Sequence, residues 1–302
     1  MRVLRVAVAI AAVIALLACG IPWLVHQMGT ERAAAETPEP TAGPAPAQPQ
    51  APAPAPEAVS TAVDLSAAFA GLQNTVGADI GLAYAPLSGA GQIHSLGAWS
   101  SGPAWSTIKV PLALAFLRQD GAGAVDGTMR AAITASDNGA AEQMWEQLGA
   151  HQTAADKVEA VLSEAGGPPP AVPSEVTRPG FSAFGQTRWS LADQVRFLAH
   201  AACDARNGPV LDLMGDVVSG QRWGLGTIGG AKFKGGWGPG TDGRYLVRQY
   251  GIIDTPTGQV VVAVAAVPDS GGFGDGTAIL TRMTSWLKDH IGDIGGDTCD
   301  QR

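Results

Sequence analysis

Charge is what this 302-residue sequence has least of: Asp, Glu, Lys and Arg make up 15% of it, against about 25% in an average soluble protein. Its Lys and Arg residues form no block and the formal net charge is −8, so the electrostatic footprint of a nucleic-acid binder is absent. Cysteine is scarcer still. Cys19, Cys203 and Cys299 form no CxxC pair and have no histidine at ligand spacing, which excludes the usual structural zinc sites and leaves no metal expected. Two readings of Cys203 and Cys299 stand: a disulfide, if the folded part lies outside the cytosol, or two separate thiols. No internal repeat is evident. Gly, at 40 residues, and Pro, at 21, are plentiful instead, so small neutral groups cover much of the surface.

The prolines cluster near the start. Arg2 and Arg5 come first, followed by an uncharged apolar run of 20 residues at positions 6–25. At 1.5 Å per residue that run spans roughly 30 Å of hydrocarbon, with the arginines on the cytoplasmic side and Trp23 near the far interface. A second reading takes Leu16-Leu17-Ala18-Cys19 as resembling a bacterial lipobox, with Cys19 lipidated after cleavage. The apolar stretch continues past the cysteine, which favours an uncleaved anchor. Residues 38–56 hold eight prolines in 19 positions. They cannot form helix or sheet, and at about 3 Å per residue they make an extended spacer on the order of 60 Å long. The expected organisation is a signal anchor or lipoprotein signal at 1–28, a Pro/Ala-rich linker at 29–60, and one folded domain at 61–302. That domain would sit on the extracytoplasmic face of the cell membrane.

Within it, apolar spacing predicts helices over 63–76, 107–119, 128–135, 140–148, 156–164, 190–202 and 276–290. Strands are expected over 79–85 and 92–99, joined as a hairpin, and over 232–235, 245–253 and 259–267. Residues 260–264 are apolar at every position, as in a central strand covered on both faces. Residues 166–185, rich in Gly and Pro, read as a long ordered loop, a type usually tied to a site. The fold expected is mixed α and β. One antiparallel five-stranded sheet is flanked on one face by the terminal helices, with a helical lobe inserted after the second strand.

Three short motifs carry chemistry. Ser106 and Lys109 are three apart, so a helix puts them on one face. A buried lysine can serve as the base that a serine nucleophile needs. The helix start also offers backbone N–H groups to an oxyanion. Ser136-Asp137-Asn138 lies between two helices. Lys234-Gly235-Gly236-Trp237 opens the C-terminal strands, where glycines allow a ligand close to the backbone.

In this order the motifs resemble the SxxK, SDN and KTG elements of class A β-lactamases and penicillin-binding proteins. The stretches STIKVPLALAFL and AAITASDNGAAEQMWEQLG are similar to that superfamily's nucleophile helix and SDN segment. The resemblance implies Ser106 as nucleophile, Lys109 as its base, Ser136 as proton relay and Lys234 as electrostatic helper. Asn138 would bind the substrate amide and Lys109, and the backbone at Ser106, Gly236 and Trp237 would frame the substrate and the oxyanion. No cofactor is implied, and the protein is expected to work as a monomer.

The sequence departs from this pattern in three places. Gly235 replaces the usual Thr or Ser, a donor to the substrate carboxylate; Arg244 and Arg248 are the candidates to compensate. The deacylation segment ExxLN is missing, and Glu175 is the nearest candidate water activator. The interval from Ser106 to Ser136 is about half the usual one, which predicts an open cleft with Trp105 and Trp237 either as its walls or in the core. Three functions compete: a cell-envelope serine hydrolase acting on a peptide or amide through an acyl-enzyme, a β-lactamase, and a binding module without catalysis.

Overall fold

The apolar run at 260–266 becomes the middle of the central strand. In the computed structural model, which describes residues 64–89, 92–119 and 125–299, this strand is β7 (Gly258–Pro268). Its side chains alternate between two cores. Val260, Val262, Val264 and Ala266 join one, with Phe69 and Trp286 from the terminal helices α1 (Leu65–Val76) and α8 (Phe273–Asp289). Val261, Ala263 and Ala265 join the other, with Val195 and Leu198 of α6 (Leu191–Ala202) and the helical lobe. Burial on both faces explains why the run never alternates with polar residues. The anchor at 1–28, the linker at 29–60 and Cys19 lie outside the described residues.

The sheet also contains β1 (Ala78–Pro86), β2 (His94–Gly97), β5 (Lys232–Pro239) and β6 (Tyr245–Thr255), in the order β2-β1-β7-β6-β5. Every pairing is antiparallel, with Leu82 opposite Val264 and Tyr250 opposite Ala263. This is the expected five-stranded sheet. Alanines at 83, 85, 263 and 265 face α6, and their small size lets the helix lie close to the sheet.

The inserted lobe is built from α2 (Lys109–Gln119), α3 (Gly127–Thr134), α4 (Asn138–Gln147), α5 (His151–Ser163) and α7 (Gly208–Leu213). A two-stranded sheet pairs β3 (Ser101–Pro103), which precedes α2, with β4 (Arg188–Ser190), which precedes α6. Sequence periodicity does not foresee it, since three residues are too few to show a period. Ser190 caps α6 as expected, its Oγ accepting from the Asp193 amide at 3.0 Å. Among the described residues no helix is long and apolar enough to cross a membrane.

The C-terminal tail is fastened at two points. Asp297 accepts from the Ser88 amide at 2.8 Å and from its hydroxyl at 2.5 Å, while its backbone bridges Gln259. Two residues on, Cys299 forms a disulfide with Cys203, 96 positions earlier. Closing a loop of that size removes roughly 4–5 kcal/mol of unfolded-chain entropy in the simplest treatment. Cys203→Ser is therefore expected to lower the melting temperature by about 5–15 °C. The variant should also melt identically with and without dithiothreitol, whereas the parent's melting temperature should fall on reduction.

Candidate active site

Ser106 does not begin an α-helix directly. It lies in a 3₁₀ turn, Trp105–Ile108, that leads into α2. In the first turn of a helix its amide N–H has no intrahelical acceptor, so it is available to an anion. The turn is held from below by a buried polar network. Arg248 donates to Gly102 O at 3.1 Å, Pro103 O at 2.9 Å and Trp189 O at 3.0 Å. It also donates to Gln194 Oε1 at 2.6 Å, and Gln194 in turn donates to Thr107 Oγ1 at 2.9 Å. Tyr250 reaches Thr107 O at 3.3 Å.

From the side, strand β5 lies against the turn. A Cβ on Gly236 would stand 2.9 Å from Ala104 O and from the amides of Ser106 and Thr107. One on Gly238 would stand 2.5 Å from the Trp105 ring. Glycine at these positions is therefore a packing requirement. A Cβ on Gly235 meets only ordinary contacts, the nearest being the Trp223 ring at 3.4 Å.

From above, the long loop clamps the turn. Arg178 donates to Pro239 O at 2.6 Å and Gly240 O at 3.1 Å. Its guanidinium lies over Phe181, and Phe181 meets the buried Trp105 ring edge-on at 5.1 Å. Trp105 itself has φ +50°, a left-handed conformation costly for a bulky residue.

The second motif faces the turn across the cleft. Ser136 also has a positive φ, +58°. Its two oxygens meet two lysines. Lys109 Nζ donates to Ser136 O at 2.6 Å, Asp137 O at 3.2 Å and Asn138 Oδ1 at 2.7 Å. Lys234 Nζ donates to Ser136 Oγ at 2.8 Å and to Gly235 O at 3.0 Å. Both lysines are 1% exposed, and neither has a salt-bridged carboxylate among the described residues. Burial lowers Lys109 to about 8, against a smaller upward pull from Asp137 and Glu142. Burial, then the charge of Lys109, pushes Lys234 well below the ordinary lysine value. Both shifts favour the neutral amine, the form that can take a proton.

The structure thus brings Lys109, Ser136, Asn138 and Lys234 into one hydrogen-bonded set. Ser106 lines the same cleft, of about 540 Å³, with Lys109, Ser136, Asn138, Trp105 and Trp237. Its hydroxyl makes no hydrogen bond among the described residues, so the expected Ser106–Lys109 contact is not formed. Lys109 is instead occupied by three oxygens of the SDN segment. The Lys109 contact identifies the Asn138 acceptor as Oδ1 and leaves Nδ2 free for a ligand carbonyl.

Three sequence expectations are corrected. Arg248 is fully buried under the Ser106 turn, where it positions the backbone and cannot bind substrate. Arg244 pairs with Asp242 and Asp79 and does not line the cleft. Glu175 has a side chain 71% exposed and meets His151 at 2.8 Å. It too is absent from the cleft lining, although its neighbour Val176 is there.

Sequence reasoning missed Glu142, Phe181, Ser182, Phe184 and Tyr245, all of which line the cleft. Glu142 had a signal, lying four residues after Asn138 on one helix face. The loop residues had none. Trp237 is a cleft wall, packed at 5.4 Å on Phe273 and at 5.9 Å on Trp223.

No family model matches this chain, and no curated protein matches it. Solved structures do. A class A β-lactamase from Mycobacterium abscessus aligns with a TM-score of 0.58 at 18% identity, over 75% of this chain and 99% of its own. The TLA-3 extended-spectrum β-lactamase gives 0.60 at 16%, over 76% and 98%. A class A β-lactamase from Bacteroides cellulosilyticus DSM 14838 gives 0.59 at 14%, over 74% and 95%. The likeness is one of fold: this chain has the serine β-lactamase-like fold.

The contact between β5 and the turn is testable by paired substitutions. Gly236→Ala must displace backbone and is expected to cost about 1–3 kcal/mol, or roughly 3–10 °C in a thermal melt. Gly235→Ala should melt within about 2 °C of the parent.

Proposed function

We propose that this chain, folded as the serine β-lactamases are, is an extracytoplasmic serine hydrolase. It would form an acyl-enzyme at Ser106 with a peptide or other amide of the cell envelope. The observation that carries this reading is the Lys109–Ser136–Lys234 hydrogen-bonded set in the wall of the cleft that holds Ser106. Acylation needs Lys109 to lose one proton to solvent, give up one of its three acceptors and, as the free amine, take the Ser106 hydroxyl proton as Oγ attacks the carbonyl carbon. The oxyanion would meet the backbone N–H groups of Ser106 and Trp237. As the C–N bond breaks, the Ser136 hydroxyl gives its proton to the leaving nitrogen, and the proton that Lys109 took from Ser106 replaces it, leaving Lys109 the free amine again.

The cleft favours a substrate different from an anionic one. No arginine lines it among the described residues, and the position of the usual hydroxyl donor is Gly235, beside the Trp223 ring. Trp237 and Tyr245 offer aromatic surface instead. A neutral amide with an apolar group on that side suits these walls. The Cys203–Cys299 disulfide, together with the anchor and spacer read from the sequence, supports a site outside the cytosol. One observation favours a binding module: Lys109 is turned toward the SDN oxygens and makes no hydrogen bond to Ser106.

Covalent labelling separates the two readings. A fluorescent fluorophosphonate is expected to label the protein, and a fluorescent penicillin, whose carboxylate has no arginine in the cleft, to label it more slowly, with the adduct on Ser106 by peptide mass spectrometry. Ser106→Ala should abolish both signals. Reversible binding with no adduct would establish the binding module. Because Lys109 must be the free amine, the labelling rate is expected to rise about tenfold per pH unit up to about 8 and then level off. A rate flat from pH 6 to 9 would remove Lys109 as the base.

A further inference from the structure

Among its described lining residues the cleft has one lysine, Lys109, and one carboxylate, Glu142. Glu142 lies on α4, one helical turn beyond Asn138, so the two side chains share the face that looks onto Ser106, Lys109 and Ser136. It is half-buried, and among the described residues its carboxylate has no hydrogen-bond or salt-bridge partner. Three other carboxylates of the lobe and loop are engaged elsewhere. Asp137 caps α4, accepting from the Ala140 amide at 2.7 Å. Glu164 pairs with Arg118 on the outside of the lobe, and Glu175 meets His151 in solvent. The loop over the cleft contributes Val176, Gly180, Phe181, Ser182, Phe184 and Gly185 to the lining, none of which can take up a proton from water.

Resting on the acyl-enzyme reading above, we propose that Glu142 is the catalytic base for deacylation, supplied from helix α4 and not from the loop. A water held between Glu142 and the ester gives one proton to the Glu142 carboxylate as its oxygen bonds to the acyl carbon. The tetrahedral oxyanion then collapses, the acyl carbon–Ser106 Oγ bond breaks, and Glu142 returns the proton to Oγ. Water and ester are consumed; a free carboxylic acid and the Ser106 hydroxyl are formed. Environment agrees with this role. Burial, and then the charge of Glu146, raise the Glu142 carboxyl above its ordinary value, while Lys109 pulls it back. A carboxylate so placed is a stronger base than a solvated one. The assignment also explains how the chain can lack the ExxLN segment and still release its acyl group.

The test separates acylation from release in the folded domain. Wild type and variants are labelled with a fluorescent penicillin, and both the rate of labelling at Ser106 and the rate of adduct loss are followed. Glu142→Gln is expected to label within about threefold of wild type and to lose its adduct 10²- to 10⁴-fold more slowly, the usual contribution of a general base. Glu142→Asp should recover part of the release rate. Added formate should accelerate release in Glu142→Ala, which a merely structural role would not produce. Glu175→Gln should release at the wild-type rate. Release from Glu142→Gln at the wild-type rate would overturn the proposal. So would an equal slowing of labelling and release, which would mean that Glu142 acts only through Lys109. Unaltered persistence of the wild-type adduct would overturn it as well, while leaving the acyl-enzyme reading intact. Absence of any wild-type labelling would overturn both. If Glu142→Gln does not fold, Glu142→Asp and the formate experiment carry the same decision.

Discussion

The backbone of β5 rests on the Ser106 turn with no side chain between them, and the site depends on that contact. Because residue 236 has no Cβ, the strand backbone lies directly against the Ala104 carbonyl and the amides of Ser106 and Thr107. The turn is then fixed from two other directions. Arg248 and Gln194 hold its backbone from the core, and Arg178 and Phe181 hold Trp105 from the loop. A tryptophan at φ +50° is a local cost on the order of 1–3 kcal/mol. It persists because three independent elements determine the same geometry. The long loop is thus part of what shapes the Ser106 turn, in addition to lining the cleft.

The electrostatics follow from the same packing. Lys109 and Lys234 are sealed on either side of Ser136 without a salt-bridged acid among the described residues. An ion pair would have kept both ammonium groups charged and chemically inert. Desolvation without a paired acid favours loss of a proton, which is what a base requires. Burying two such groups opposes folding, so the stability must come from elsewhere: the two cores on either side of β7, and the disulfide that ties α6 to the tail. The cores and disulfide that stabilise the chain are thus distinct from the two buried lysines that oppose its folding.

This division explains what could be read from the sequence. The sheet, the terminal helices and the order of the three motifs were legible because each is written locally. Period-two and period-3.6 apolar spacing marks the elements, and SxxK, SDN and KGGW are contiguous. What depended on distant parts of the chain was hidden. Arg248 reads as an exposed strand residue until β3 and β4, three residues each, bring Gly102, Pro103 and Trp189 to it. Glu175 sits near the expected place in the chain, yet the loop turns it into solvent and presents Val176 instead. Glu142 was accessible to helical spacing, but nothing marked it from the other acidic residues of the lobe until the cleft was assembled. The Lys109 side chain follows the SDN oxygens and not its neighbour in sequence, since burial demands acceptors for every N–H.

Of the glycines at 235, 236 and 238, two are fixed by backbone or ring atoms that cannot move aside, and only Gly235 has ordinary clearance. The clearance extends as far as the Trp223 ring, so a larger hydroxyl-bearing residue at 235 competes with that indole for one space. A hydroxyl donor at 235 and a full-sized indole at 223 are therefore alternative uses of one space.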